Sequence, residues 1–285
     1  MAGFRHILFP VDFSERCKAI CPYVKSFAAQ FHAKVTLLNV VQIPPGMPGG
    51  IDPSYPVMFD YKALEPQIRE VLKEYCDLGD VERIVRLGEP ALDIADYAKE
   101  NGVDLIMLPT HGYGKFRSLL LGSVTSKVLH DADCPVWTAP HAEGPGLKGH
   151  WPCKSVLVAV DRGAEQAPVV KRAVELAQEL GAGVRLVHAV PGAEHAPGET
   201  GGEEFSHFLM KMADQDMAKL QQAAGTNLEA SVVAGAVGEV VRQVAEQHHA
   251  DLLIIGRGVM HETLGRLRSR SYEIIRESPC PVLSF

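Results

Sequence analysis

The sequence predicts an α/β protein built from two repeats, each a doubly wound, open, parallel sheet of five strands with helices on both faces. Short, nearly continuous apolar runs such as ILFPV (7–11) alternate with longer segments of helical periodicity. Apolar runs of this length are typical of strands that are buried on both faces of a parallel sheet. The same order of motifs then occurs a second time, which indicates duplication of one unit.

Four pairs of segments make up the repeat and keep their order along the chain. They are HILFPVDFSE (6–15) with SVLVAVDRGA (155–164), KVTLLNVV (34–41) with GVRLVHAV (183–190), LGEPALDIADYAKENGVDLIMLPTHG (87–112) with AGAVGEVVRQVAEQHHADLLIIGRG (234–258), and DADCPVWTAP (131–140) with ESPCPVLSF (277–285). Between the repeats lies HAEGPGLKGHWP (141–152), whose Gly and Pro content is typical of a linker. We therefore expect domains at residues 1–141 and 152–285.

The elements of the first repeat follow from their local patterns. ILFPV is a buried strand; CKAICPYVKSFAAQF has helical spacing with Pro22 inside it; KVTLLNVV is again a strand. ALEPQIREVLKEYCDLG is a helix with charges spaced i,i+4, VERIVRL is a strand, and ALDIADYAKENG is a helix that Gly102 ends. DLIMLP, SVTSKVLHDA and CPVWTA complete the unit as strand, helix and strand.

Composition excludes several classes of protein. Hydrophobic residues make up 46% and charged residues 22%, which is an ordinary globular balance. The net charge is −7 without a long basic run, so we expect no nucleic-acid partner. No apolar stretch reaches the roughly 18 residues that span a bilayer, and acidic residues come too early for a signal peptide. We expect a cytoplasmic protein with no membrane partner.

The six cysteines are scattered and do not resemble a disulfide framework. Cys17 and Cys21 lie four residues apart on a predicted helix and are expected to share a face as free thiols that are buried or half-buried. No neighbouring His or second Cys pair completes a metal site.

Ligands of doubly wound sheets bind outside the carboxyl ends of the strands, so the residues there are the site candidates. Asp12 follows the first strand, and two interpretations of it are equally open. Its carboxylate either contacts ribose hydroxyls or a bound metal ion, or Asp12 or the serine after it caps the next helix. The repeat places Asp161 at the equivalent position. Val40, near the end of the second strand, offers backbone groups to a purine edge or simply fills the core.

The loop PTHGYGKFRSLLLGSVTSKVL (109–129) follows the fourth strand. Gly112 permits backbone conformations barred to other residues, and Ser123 is predicted to be the N-cap of the next helix, with Thr125 as a further hydroxyl donor. The exposed N–H groups of a helix start bind anions. The alternative is an ordinary loop with a capped helix. His111 has no nucleophile motif beside it, so we expect a structural or phosphate-side role.

Together these motifs resemble a tandem universal stress protein over both halves nearly end to end. ILFPVDFSE, LGEPALDIADYAKENGVDLIML and THG…LLLGSVTSKVL…DCPV carry the resemblance. Nucleotide-binding members of that family have a loop of form G-x-x-G-x9-G-[ST]. Gly112, nine further residues and Gly122-Ser123 match it, whereas Pro109 stands at the first glycine. The fold that the resemblance implies is adenine nucleotide alpha hydrolase-like.

The resemblance also implies a ligand and its contacts in the first domain. The ligand is ATP, with Mg or Mn as accompanying metal. Pro10 shapes the first turn, Asp12 contacts the ribose or the metal, and Val40 meets adenine through its backbone. The residues assigned to the phosphate side are Pro109, His111, Gly112, Gly122, Ser123, Val124 and Thr125.

The second domain departs from this pattern. Ala159 replaces the proline of the first turn, and Arg268-Ser269-Arg270 stands where Gly122-Ser123-Val124 stands in the first repeat. We expect this degenerate loop to obstruct phosphate and the domain to be mostly architectural. Two interpretations of Arg266, Arg268 and Arg270 remain: a site for a different anion or an acidic partner, or a surface-exposed basic helix start.

The expected function is a nucleotide-dependent regulator in the stress response, with at most slow ATP hydrolysis. The alternative is a non-nucleotide interaction scaffold or small-anion sensor of the same fold. In assemblies of the family that the chain resembles, the last strand pairs with that of a second unit. The resemblance therefore implies that the final strands, CPVWTA and CPVLSF, pair the two domains within the chain and cover apolar edges. A homodimer of whole chains is a further expectation.

Overall fold

A computed structural model describes residues 3–42, 61–111, 121–139, 152–194, 202–257 and 266–285. The chain divides into two compact units. One contains Phe4–Arg117 and Gly122–Val136, and the other contains Trp137–Phe285. The two halves of the sequence are described separately below, and the strand Val136–Thr138, which lies across this division, is listed with the N-terminal half.

The N-terminal half is a parallel sheet in the order β3-β2-β1-β4-β5. Its elements are β1 (His6–Pro10), α1 (Glu15–Ala19), α2 (Cys21–Phe31), β2 (Lys34–Val41), α3 (Tyr61–Tyr75), β3 (Glu82–Leu87), α4 (Pro90–Glu100), β4 (Leu105–Leu108), α5 (Ser123–Asp131) and β5 (Val136–Thr138). β1 and β4 are buried along their whole length, as expected of strands covered on both faces.

The C-terminal half repeats this arrangement in the order β10-β9-β6-β7-β8. Its elements are β6 (Ser155–Ala159), a short 3-10 turn (Ala164–Gln166), α6 (Ala167–Leu180), β7 (Gly183–Val190), α7 (Gly202–Ala224), β8 (Glu229–Ala234), α8 (Val237–Gln247), β9 (Leu252–Ile255), α9 (Arg266–Glu277) and β10 (Val282–Ser284). The predicted fold class, two doubly wound parallel sheets, is confirmed.

The strand order determines at which edge of the sheet a ligand can bind. From β1 the chain steps to β2 and β3 on one side and then returns to β4 on the other side. Because crossovers between parallel strands are right-handed, this reversal puts the helices of the two directions on opposite faces of the sheet. A crevice therefore opens at the carboxyl ends of β1 and β4, where the connections diverge.

The predicted single helix after β1 is wrong in one respect, because it is two helices. α1 ends at Ala19, Ile20 lies between, and α2 begins at Cys21 with Pro22 in its first turn. A proline inside a helix removes one hydrogen bond and clashes with the carbonyl four residues earlier, but it fits the first turn. Pro22 thus starts a helix.

The expectation of free thiols at Cys17 and Cys21 is wrong for Cys21. Cys21 forms a disulfide with Cys76, which follows α3, while Cys17 is free and buried. The partner lies far away in the sequence, so the spacing of Cys17 and Cys21 gives no sign of it.

Among the helices that the structure describes, none combines the length and the apolar character that a bilayer-spanning segment needs.

Candidate functional site

Hydrogen bonds to the neighbouring strand β2 hold the turn after β1 in place. The Val11 N–H donates to the Leu38 carbonyl at 2.8 Å, and the Asn39 side-chain amide donates to the Val11 carbonyl at 2.7 Å. Phe13 then adopts a left-handed conformation with φ of 62°. The chain therefore leaves the sheet at Asp12, with the carboxylate at the carboxyl edge.

Asp12 supports the helix cap rather than forming it. Its Oδ1 accepts hydrogen bonds from the Ser14 backbone N–H at 2.9 Å and the Ser14 hydroxyl at 2.7 Å. Ser14 is the N-cap of α1, because its hydroxyl oxygen accepts from the Cys17 N–H at 3.1 Å. Asp12 is half-buried, so its carboxylate orders the turn and still faces the edge where a ligand would lie.

Tyr75, at the end of α3, is a contact of this turn that sequence reasoning missed. Its hydroxyl donates to the Ser14 carbonyl at 2.7 Å, and its ring packs edge-on against Phe13 with 5.3 Å between ring centres. Burial raises the pKa of Tyr75 above its ordinary value. A single tyrosine at the end of a helix carries no motif, so the sequence offered no signal for this contact.

The backbone of Val40 is available at the same edge. Leu38 directs its carbonyl toward β1, whereas the Val41 carbonyl accepts from Gly88 on the β3 side at 3.0 Å. Because backbone groups alternate in direction along a strand, Val40 directs its N–H and C=O toward β1. The paired register of β1 ends at Pro10 opposite Leu38. Val40 thus presents a donor and an acceptor beyond the end of the pairing.

The exit of β4 is tied to the start of α5 by two hydrogen bonds. The Gly122 N–H donates to the Thr110 carbonyl at 2.8 Å, and the Thr125 hydroxyl donates to the Pro109 carbonyl at 2.9 Å. A β-carbon on Gly122 would lie 3.2 Å from the Thr110 carbonyl oxygen, a tighter spacing than side chains normally accept. Gly122 therefore favours the close approach of the two backbones, since a side chain there would push the Thr110 carbonyl away.

The prediction that Ser123 caps α5 is wrong. Gly122 is the N-cap, Ser123 is the exposed first residue of the helix, and no side chain caps the helix start. The Thr125 hydroxyl, expected to face an anion, instead holds Pro109. The first N–H groups of a helix have no partner within the helix, and they carry its positive dipole end. This start therefore presents backbone donors at the sheet edge, as an anion site requires.

Two further predicted site residues are buried in the structure. His111 is buried directly after the exit of β4, and Pro10 is buried at the end of β1, where its carbonyl accepts from the Cys17 thiol at 3.5 Å. Gly112 lies outside the described residues. Among the described residues no cluster of three His, Cys, Asp or Glu side chains forms a metal site.

The C-terminal half differs at the equivalent edge. Asp161 forms an ion pair with Arg270, with 3.7 Å between Oδ2 and Nη1. When the two repeats are aligned on the Cys-Pro-Val of their last strands, Ser123 corresponds to Ser269. α9 begins three residues earlier, at Arg266, so about one extra helical turn occupies the place where the uncapped start of α5 lies in the first repeat. Arg266 and Arg268 fall in that extra turn and Arg270 follows it.

Comparison with known proteins identifies the family to which the chain belongs. The profile of the Universal stress protein family matches residues 3–140 and again residues 152–285. The chain belongs to the universal stress protein family. Its two universal stress protein domains follow one another in a single chain, and their α/β fold is the adenine nucleotide alpha hydrolase-like fold of that family.

Some similar proteins match about half of this chain, and others match its whole length. A universal stress protein of Methanocaldococcus jannaschii is 28% identical over 47% of this chain and 93% of its own length. Universal stress protein A homolog 1 of Coxiella burnetii is 30% identical over 47% of this chain and 94% of its own. The crystal structure of a universal stress protein from Archaeoglobus fulgidus covers 100% of this chain and 97% of its own, with 21% identity and a TM-score of 0.67.

Proposed function

We propose that the N-terminal half binds ATP at the carboxyl edge of β1, β2 and β4, and that nucleotide occupancy regulates the protein in a stress response. The observation that carries the proposal is the uncapped start of α5, which two hydrogen bonds hold at the edge that Asp12 and Val40 also reach. A nucleotide needs hydrogen-bond donors for its phosphates, a carboxylate for its ribose and backbone groups for its base, and this edge offers all three.

Each group takes one part of the nucleotide. The Val40 N–H and C=O pair with the edge of adenine, and the Asp12 carboxylate accepts from ribose hydroxyls or binds a cation held by the phosphates, Mg or Mn. The backbone N–H groups of Ser123, Val124 and Thr125 bind the phosphates. Pro10 shapes the turn that carries Asp12, and Pro109 anchors Thr125 through its carbonyl. Gly112 and His111 complete the phosphate side.

Val124→Glu tests the phosphate contact without weakening the helix. Val124 is half-buried in the first turn of α5, where a carboxylate is favoured by the helix dipole but repels phosphate. We expect calorimetric titration to show at least a tenfold loss of ATP affinity, with adenosine affinity unchanged, because adenosine has no phosphate.

Val71→Glu is the matched control. Val71 is 54% exposed on α3 and is not among the residues assigned to the nucleotide. The same substitution there should leave ATP affinity unchanged. Equal ATP binding by wild type and Val124→Glu, or no ATP binding by wild type, contradicts the assignment.

Pro109 favours a second candidate function, a small-anion sensor or interaction scaffold. Proline has no N–H to donate and a fixed φ, so the loop departs from the nucleotide-binding pattern at that position. Binding of inorganic phosphate, together with failure to bind ATP and adenosine, would support the sensor. Absence of all three would support the scaffold.

A further inference from the structure

The C-terminal half contains a cavity of about 80 Å³ at the carboxyl ends of β6, β7 and β9, beside α9. A cavity of that volume holds about five to eight waters, or a small organic molecule. Most of its wall is aliphatic. Its polar side chains are Asp161, Gln166, His188, Arg257, Arg270 and Ser271.

His188 lines this cavity and carries a ring nitrogen without a hydrogen-bond partner among the described residues. The side chain is only 5% exposed, and its Nδ1 lies 2.8 Å from the Val160 carbonyl oxygen. Because a carbonyl only accepts hydrogen bonds, Nδ1 carries the proton, and Nε2 of the neutral ring is an acceptor. Nε2 is buried and has no hydrogen-bond partner among the described residues. Buried polar atoms are nearly always paired with protein groups or water, so this acceptor is open to a donor that enters the cavity.

The first repeat shows that the fold does not need this nitrogen. Asn39 occupies the equivalent position in β2 and holds the Val11 carbonyl at 2.7 Å, as His188 holds the Val160 carbonyl. Asparagine anchors the turn equally well with a shorter side chain. The additional Nε2 of His188 is therefore free for another purpose.

A cationic group lies on the same cavity. The Arg270 Nη1 is 3.7 Å from the Asp161 Oδ2, beyond hydrogen-bond distance, and the two side chains are 50% and 46% exposed. Ion pairs this exposed are weak, so a ligand anion can compete for Arg270. The extra turn of α9 occupies the place where the first repeat exposes its helix start. A polyphosphate would therefore not find a helix start at the same place, and a short acid is the anion that suits a cavity of about 80 Å³.

We propose that the C-terminal half binds a small hydroxycarboxylate in this cavity. Its hydroxyl donates to His188 Nε2, and its carboxylate pairs with Arg270. The site is separate from the nucleotide site of the N-terminal half and does not depend on it.

The test uses three compounds with the same carbon skeleton on the full chain. Glycerate has hydroxyls and a carboxylate, propionate has only the carboxylate, and glycerol has only hydroxyls. Nitrogen NMR of ¹⁵N-labelled histidine follows the ring, and His188→Asn identifies its signals. We expect glycerate to shift the Nε2 resonance and to bind at least tenfold more tightly than either control, because each control leaves one polar partner unpaired.

Two variants take their residues from the first repeat. His188→Asn should keep the anchor to Val160, as Asn39 does, and Arg270→Val should reproduce Val124. Each should keep the wild-type melting temperature and lose at least tenfold in glycerate affinity. The proposal is overturned if glycerate leaves the His188 resonance unchanged, if either variant binds glycerate like wild type, or if AMP shifts that resonance and glycerate does not.

Discussion

The disulfide between Cys21 and Cys76 should contribute several kcal/mol to the stability of the N-terminal half. The two cysteines are 55 residues apart in the sequence and join the start of α2 to the end of α3. In the chain-entropy treatment, closing a loop of that length removes about 14 cal/mol/K from the unfolded state, or about 4 kcal/mol at 25 °C. Measured values are commonly about 2–4 kcal/mol, so we expect a loss in that range on reduction.

Urea unfolding of the wild type with and without reductant measures this contribution. The double variant Cys21→Ser/Cys76→Ser should unfold at the lower midpoint and show no further response to reductant. Thiol titration of the non-reduced, denatured wild type should count four free cysteines, as the structure has. Six titratable thiols, or equal midpoints for wild type with and without reductant, would refute the reasoning.

Two further predictions concern ionisable groups. Burial is the main cause that raises the pKa of the Cys17, Cys153 and Cys280 thiols from 9.0 to about 12. The unfolded thiols therefore lose their protons first. The free energy of unfolding should be unaffected below about pH 9 and should fall by about 1.4 kcal/mol per pH unit per thiol between about pH 9 and about pH 12. Urea unfolding at a series of alkaline pH values checks this, and an unchanged slope in Cys17→Ala or Cys280→Ala would contradict it. Tyr75→Phe should cost about 1 kcal/mol in the same assay, because the hydrogen bond to Ser14 is lost. Tyr97→Phe, whose hydroxyl has no hydrogen bond among the described residues, should cost clearly less, and equal losses would show that the bond to Ser14 is not responsible.

The sequence was sufficient for the sheets because buried parallel strands leave a local signature. ILFPV and DLIMLP are apolar runs, and the repeat of motifs fixed which strands are equivalent. The positions of Asp12 and Val40 followed from the rule that ligands lie beyond strand ends. Both are found at that edge, although whether a ligand contacts them remains a prediction.

Contacts between segments far apart in the sequence could not be predicted from the sequence alone. The Cys21–Cys76 pair and the bond from Tyr75 to Ser14 join segments that become neighbours only when α3 packs beside the β1 turn. The N-cap of α5 was placed one residue too late because serine is the stronger cap by preference. In the structure Gly122 is the N-cap, and its N–H donates to the Thr110 carbonyl.

The two hydrogen bonds that hold the start of α5 constrain how the sequence of this loop can evolve. Both acceptors, at Pro109 and Thr110, are main-chain carbonyls, which every amino acid supplies. Side chains at these two positions can therefore be replaced without releasing the helix, and a glycine-to-proline exchange at 109 removes no acceptor. Gly122 and Thr125 contribute through their own size and hydroxyl, so selection should act on them far more strictly. Across related sequences, the helix-side half of the motif should vary less than the strand-side half.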